Sequence, residues 1–396
     1  MTTYVHNIDP FFIHFWGDLG IRWYGLAYLT GFIAGLVYVA KMAPRGAGIG
    51  LKVEQLTDFT TWMAIGTLAG GRLGYAVFYS PELLLDFSAS FPFWGVFAVH
   101  KGGMASHGGI AGIMIATILY SRIHKVPILH LMDLTCVGGA LGIGLGRIAN
   151  FINGELFGRP TESAVSWAVK FPQEMYLWSS GQVSKLFSLE PAVLALKEVE
   201  MFPPQLSFFQ ELGLRYKVLS EGIQFPVGEK MTLTADLWKE WVTGYRYDSE
   251  AYQGVNRVIE SLIQATQTGQ SEVIKALEPL LTARHPSQLY QSALEGFLVF
   301  AVVCIVWIKP RRPGIVSGYF GLSYLIARII GENFRMPDAH IGFEALGLTR
   351  GQWLSIGYFA IVALIFYVSK KQNLPLMGGW TKSLIPAGGK SKGRKK

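Results

Sequence analysis

The sequence predicts an all-α integral membrane protein of about seven transmembrane helices, with an α-rich periplasmic insertion between helices 4 and 5. Three observations predict it. Of 396 residues, 51% are hydrophobic and only 16% are charged, which is too apolar for a soluble chain of this length. Seven apolar runs approach the roughly 20 residues that a helix needs to cross a hydrocarbon core about 30 Å thick. Lysine and arginine follow alternate runs, the pattern of loops retained in the cytoplasm.

Taken in order, the N-terminal MTTYVHNIDPFFIHFWGDLG lacks the basic region and small-residue cleavage site of a signal peptide, so the mature protein is expected to keep it. Its aromatic residues suit a helix lying at the membrane surface. The spans are expected at about 20–40, 57–79, 107–123, 128–151, 288–308, 314–334 and 351–369. Residues 1–159 then form the first part of the membrane domain, 160–284 the extracytoplasmic insertion, 285–370 the second part and 371–396 a basic tail. Within the insertion, EPAVLALKEVEM and SEVIKALEPLL read as helices.

Orientation follows from the basic residues. Lys41, Arg45 and Lys52 follow span 1, Arg122 and Lys125 follow span 3, and Lys309, Arg311 and Arg312 follow span 5. The tail adds eight more basic residues, Lys370 to Lys396, without one acid. The opposite loops carry Asp9, Asp18, Glu82 and Asp86, with Lys101 the basic exception. The N-terminus is therefore expected outside and the C-terminus in the cytoplasm.

Composition also excludes function classes. The net charge of +8 is spread as punctuation between apolar runs, which argues against nucleic-acid binding. Cys136 and Cys304 both lie in apolar stretches, so neither a disulfide framework nor a covalent nucleophile is expected. The eight histidines are scattered without ligand spacing, so no metal site and no cofactor is expected.

A charge at bilayer depth costs at least roughly 2.5–3.5 kcal/mol and needs a partner or a watery cavity. Arg72 lies late in span 2, His107 opens span 3, Arg147, Asn150, Asn153 and Glu155 close span 4, and Arg328, Glu332 and Arg335 close span 6. By the orientation above, all of them approach the outer leaflet. Several arginines at one level imply an anion, because a guanidinium holds phosphate or carboxylate with a planar fork of donors. A phospholipid headgroup is the anion at hand. Arg328, Glu332 and Arg335, at i, i+4 and i+7, are expected on one helical face, and Asn153-Gly154 is expected to end helix 4 in a turn. Each residue also has a plainer reading. An arginine near a helix end often only snorkels to the interface, the glycines around His107 serve helix packing, and Glu295 in span 5 reads equally as structural.

At these residues the chain resembles the prolipoprotein diacylglyceryl transferases. GRIANFINGELFGR from Gly146 is the strongest match. RWYGLAY from Arg22, GGRLGYAVFY from Gly70, GGMASHGG from Gly102, HPSQLYQ from His285 and the stretch from Arg328 to His340 follow in the family's order. Ala149 and Phe157 stand where many members have Gly and Trp, and the 160–284 segment looks longer than the family's usual outward domain. The resemblance implies transfer of the diacylglyceryl group of phosphatidylglycerol to the thiol of a lipobox cysteine in prolipoprotein signal peptides, releasing glycerol phosphate. It implies a bacterial inner membrane and an active site facing the outer leaflet. Arg147 and Arg328 would hold the phosphate, and Tyr24, Asn150, Asn153 and Gly158 the headgroup, with Glu155 and Glu332 orienting them and Arg72 and Arg335 also at the substrate. His107 would take the thiol proton or orient lipid. The competing expectation is a phospholipid or anion transporter, which should spread polar residues through both leaflets; a seven-helix receptor is a weaker third.

Overall fold

The computed structural model describes residues 3–16, 19–42, 51–87, 93–98, 103–161, 165–201, 229–336 and 345–379. Asp18, Arg45, Lys101, the stretch 337–340 and the tail from 380 lie outside them. The chain divides into two compact units.

The larger unit, Trp23–Ala149 with Leu289–Asn333 and Pro337–Lys396, contains long helices in the predicted places. These are α1 (Trp23–Met42), α2 (Val53–Phe78), α3 (Ser106–His124), α4 (Ile128–Ile152), α10 (Ser287–Trp307), α11 (Ile315–Glu332) and α12 (Arg350–Lys371), with α4 and α10 each beginning or ending in the other unit. Among the described residues, four helical stretches have the length and apolarity to cross a membrane: Trp23–Lys41, Ile128–Ile152, Ser287–Trp307 and Gly351–Lys371. The chain is a membrane protein. The other three long helices, α2, α3 and α11, carry Arg72, His107, Arg328 and Glu332.

Small residues set how closely these helices approach. Gly66, Gly70 and Gly74 of α2 face Gly108 and Gly112 of α3, and a Cβ on Gly74 would stand 2.7 Å from the Gly108 Cα. Such four-residue spacing of glycines brings backbones together where lipid supplies no hydrophobic drive. A buried carboxylate ties α4 to α11. Asp133 accepts from the backbone N–H of Gly314 and of Ser317, both at 2.8 Å, and from the Ser317 hydroxyl at 2.6 Å. It thereby satisfies the orphan donors at the start of α11.

The smaller unit comprises Met1–Arg22, Asn150–Gln288 and Phe334–Met336. Here the all-α expectation is corrected. The N-terminal stretch is not a surface helix: β1 (Tyr4–Val5) joins a sheet, and β2 (Phe11–Trp16) pairs antiparallel with β3 (Leu19–Arg22). Aromatic and β-branched side chains on both sides of Gly17-Asp18 favour a hairpin over a helix. Arg22 then lies over the Phe11 ring, 4.4 Å from its centroid.

The rest of this unit is helical: α5 (Met175–Gly181), α6 (Glu190–Leu196), α7 (Ala235–Gly244), α8 (Ser249–Gln267) and α9 (Ser271–Leu277). EPAVLAL and SEVIKAL are helical as read, but the helix expected to continue through KEVEM stops at Leu196. Lys197 has φ 70°, and β5 (Glu198–Met201) pairs with β6 (Glu229–Thr232). The alternating Glu-Val-Glu-Met follows the two-residue period of a strand. Asp248 caps α8 by accepting from Glu250 N–H at 2.9 Å, and α8 buries Val255, Val258, Ile259 and Leu262 against Trp238, Trp241 and Leu189. A three-stranded sheet, β1 with β4 (Val169–Lys170) and β7 (Ala283–Arg284), joins the N-terminal segment to both ends of the insertion.

Candidate active site

Within the membrane unit, the predicted polar residues meet around a carboxylate that sequence reading left unplaced. Glu295, fully buried on α10, accepts from Arg147 Nη2 of α4 at 3.0 Å and lies 3.6 Å from Arg328 Nη1 of α11. Arg328 also lies 3.9 Å from Glu332, one turn along α11, and hydrogen-bonds Tyr324. Glu332 in turn accepts from the Thr349 hydroxyl at 3.3 Å, where Thr349 and Gln352 form the capping box of α12. Two arginines and two carboxylates from three helices thus balance in formal charge. Buried charge is tolerated only with such pairing.

Local structure explains why the pieces meet. Gly144 of α4 faces Gly296 of α10 so closely that a Cβ on Gly296 would overlap the Gly144 Cα, and Ser292 Oγ donates to the Gly144 carbonyl at 2.8 Å. From Ser292 to Leu298 the α10 backbone is π-helical, a widened turn that occurs frequently at functional sites. Glu295 sits in that turn.

The signature loop belongs to the smaller unit. Helix α4 ends at Ile152, and Gly154 takes φ +68°, the left-handed conformation that suits glycine, as the sequence anticipated. Its N–H donates to the Phe151 carbonyl at 2.9 Å, and Glu155 N–H donates to that of Asn150 at 2.9 Å. Asn150 is buried, and Asn153 Nδ2 donates to Glu155 Oε1 at 3.4 Å. Buried Ser287 and Gln288 fix the loop by donating to the carbonyls of Leu156 and Glu155, at 3.1 and 2.6 Å.

Gly158, expected at the headgroup, has its backbone polar groups already used. Its N–H donates to the His285 carbonyl at 3.1 Å and its carbonyl accepts from Arg284 Nη1 at 3.2 Å. A Cβ here would overlap the His285 carbonyl, so glycine is required by a crossing of backbones. Arg284 also pairs with Glu174 at 3.1 Å, both nearly fully buried, and packs over the Phe157 ring. Burial alone would raise the Glu174 carboxyl, but the hydrogen bonds and charge of Arg284, helped by Thr282, hold it below the usual carboxylate range.

Other predicted positions move. Arg72 is buried, and its guanidinium donates to the carbonyls of Val96, Gly95, Ala98 and Gly103 at 2.7–3.2 Å. That geometry braces the loop before α3. Arg335 does not extend the face of Arg328 and Glu332, because α11 stops at Glu332; it forms an isolated antiparallel bridge with Gly158, and its carbonyl accepts from Arg159 Nε at 2.9 Å. Tyr24 stands in the first turn of α1, its ring 6.0 Å from that of Tyr28. His107 is exposed in the first turn of α3, outside the network linking Arg147, Glu295 and Arg328.

Sequence reading missed Ser292, Glu174 and Arg284, gave Gln291 no role of its own within HPSQLYQ, and set Glu295 aside. One signal was available. Ser287, Gln288, Gln291, Ser292 and Glu295 fall at helical spacing on one face of an otherwise apolar span, and all five are buried.

Comparison with known proteins identifies the family. The family model described as prolipoprotein diacylglyceryl transferase matches residues 10–368. The chain belongs to that family. A relative from Bdellovibrio bacteriovorus named phosphatidylglycerol–prolipoprotein diacylglyceryl transferase is 43% identical over 376 residues, covering 95% of this chain and 97% of its own. Relatives of the same name from Neisseria gonorrhoeae and Idiomarina loihiensis are 34% and 32% identical, each over 93% of this chain and over 99% and 95% of their own. Family relatives thus align across the insertion as well as the helices.

Proposed function

We infer that this chain is a transferase that moves the diacylglyceryl group of phosphatidylglycerol to a prolipoprotein cysteine, the first step of lipoprotein maturation. The observation that carries the reading is near full-length similarity to relatives bearing that name. The transporter alternative is disfavoured by the same relatives.

The arginine cluster supplies chemistry suited to it. The thiol sulfur attacks the glyceryl C3 carbon, the carbon–oxygen bond to phosphate breaks, and its electron pair leaves with glycerol phosphate. Charge grows on the leaving phosphate, and Arg147 and Arg328 offer preorganised donors in a site of low dielectric. Glu332 holds Arg328, while Tyr24, Asn150, Asn153 and Glu155 belong to the headgroup side. His107 takes the thiol proton, since a free thiol with a pKa of about 8.5 is a poor nucleophile until deprotonated.

The finer topology belongs to the same reading: seven crossings of the bacterial inner membrane, with N-terminus outside, C-terminus in the cytoplasm, and 160–284 outside. An active site at the outer leaflet is where an exported lipobox cysteine meets a phospholipid headgroup. Incubating purified protein with phosphatidylglycerol and a lipobox peptide is expected to add the mass of one diacylglyceryl unit to the peptide. No mass gain with phosphatidylglycerol refutes the reading.

A further inference from the structure

Gln291 is a polar group in the membrane unit that the network above does not use. It lies on α10 one turn before Glu295, is 0% exposed, and among the described residues neither Nε2 nor Oε1 has a hydrogen-bond partner. Glu295 Oε1 on the same face is also buried without a hydrogen bond, its Arg328 neighbour standing at 3.6 Å. Both side chains converge on Gly331 of α11, where a built Cβ would stand 3.3 Å from Gln291 Cγ and 3.5 Å from Glu295 Oε1.

An unpaired buried amide is destabilising, whereas Leu or Met would fill the same place without that cost. A ligand group reaching this amide would satisfy it. A primary amide both donates and accepts, and so matches a hydroxyl, which does the same. Bare phosphate oxygens only accept, and are better served by Arg147 and Arg328. One widened helical turn separates Gln291 from Glu295, about 5 Å along the axis. That is comparable with the reach from a phosphate to the hydroxyls of the glycerol it esterifies. In the proposed orientation α10 enters the membrane from outside, so Gln291 lies on the headgroup side of the arginines.

We propose that Gln291 is a specificity-determining residue that binds a hydroxyl of the glycerol headgroup, selecting a phospholipid whose phosphate carries a polyol. The proposal rests on the transfer reading above. Its test compares phosphatidylglycerol with phosphatidylpropanol, which keeps the scissile bond and the phosphate but lacks both headgroup hydroxyls. Wild-type kcat/KM is expected to favour phosphatidylglycerol about tenfold or more, a difference of about 1.4 kcal/mol. In Gln291→Leu the two lipids should converge through loss with phosphatidylglycerol, while phosphatidylpropanol is used much as before. Gln291→Asn, a shorter amide, is expected to lie between.

Equal use of both lipids by the wild type overturns the proposal. So does a Gln291→Leu variant with the wild-type ratio, whatever its absolute activity, because the amide then serves packing or water. Binding of the two lipids to wild type, followed by native mass spectrometry, reports the same preference without turnover. Absence of transfer therefore refutes the transferase reading, whereas absence of preference refutes hydroxyl recognition.

Discussion

The Arg147 guanidinium donates to the Glu295 carboxylate at 3.0 Å, joining α4 to α10 through a residue with no solvent exposure. The same carboxylate lies 3.6 Å from Arg328. One acid therefore sets the spacing of two arginines assigned to one phosphate.

Removing that acid should misplace both donors. Glu295→Gln, which keeps shape and an acceptor but loses charge, is expected to lower kcat by about 10²-fold, the scale of a small misplacement of catalytic groups. Arg147→Ala is expected to cost about 10²–10³-fold, as loss of one transition-state donor does. Steady-state transfer to a lipobox peptide measures both. Wild-type rates in Arg147→Ala would rule out the phosphate assignment.

Helix approach can be tested without touching a charge. Gly296→Val inserts a side chain where even a Cβ would overlap Gly144, so α10 must move away from α4. Transfer is expected to fall together with thermal stability, by about 1–3 kcal/mol for overpacking. Normal activity and melting would mean that the Gly144–Gly296 contact does not set the Arg147–Glu295 distance.

His107→Gln separates proton transfer from lipid handling. Turnover is expected to fall about 10²-fold or more, the usual contribution of a general base, with phosphatidylglycerol binding unchanged. Unchanged turnover removes the base role. Loss of binding in parallel assigns His107 to the lipid instead.

Two groups outside the spans predict acid sensitivity of the smaller unit. His6 is buried between the Phe151 and Phe171 rings, each with its centroid 5.3 Å away, and burial lowers its pKa from 6.5 to about 4. An unfolded His6 binds a proton first as pH falls, so its contribution is full above pH about 6.5 and lost progressively down to about 4, by about 3 kcal/mol. The Glu174 carboxyl, held down by Arg284, acts with the same sign at lower pH: its stabilisation is present above the usual carboxylate pKa of about 4.3 and lost on further acidification. Melting temperature is therefore expected to drop between pH 7 and pH 5, and His6→Phe should flatten that first slope. Glu174→Gln should leave the first slope intact and reduce the loss below pH about 4. A His6→Phe profile identical to wild type would contradict the assignment.

Much of this molecule was readable from order along the chain. Apolar runs and alternating basic loops located the long helices, because length and hydropathy are local properties. Asn153-Gly154 marked the end of α4 for the same reason, since a left-handed turn favours glycine. Arg147, Arg328 and Glu332 stood out because a charge in an apolar run is anomalous wherever the chain later goes. The N-terminal hairpin was misread as a surface helix because pairing of Phe11–Trp16 with Leu19–Arg22 competes with local amphipathicity, which hydropathy does not weigh.

The opening observation lay beyond what the sequence by itself determined. Arg147 and Glu295 are separated by 148 positions, and nothing local says that Gly144 and Gly296 bring their helices into contact. Arg72 and Arg147 are both arginines in helices that reach the same expected level. Only the tertiary structure distinguishes them, because four backbone carbonyls take up the first guanidinium while a side-chain carboxylate orients the second. Residue type and period decided which groups are costly to bury; the packing of helices decided which partner each one found.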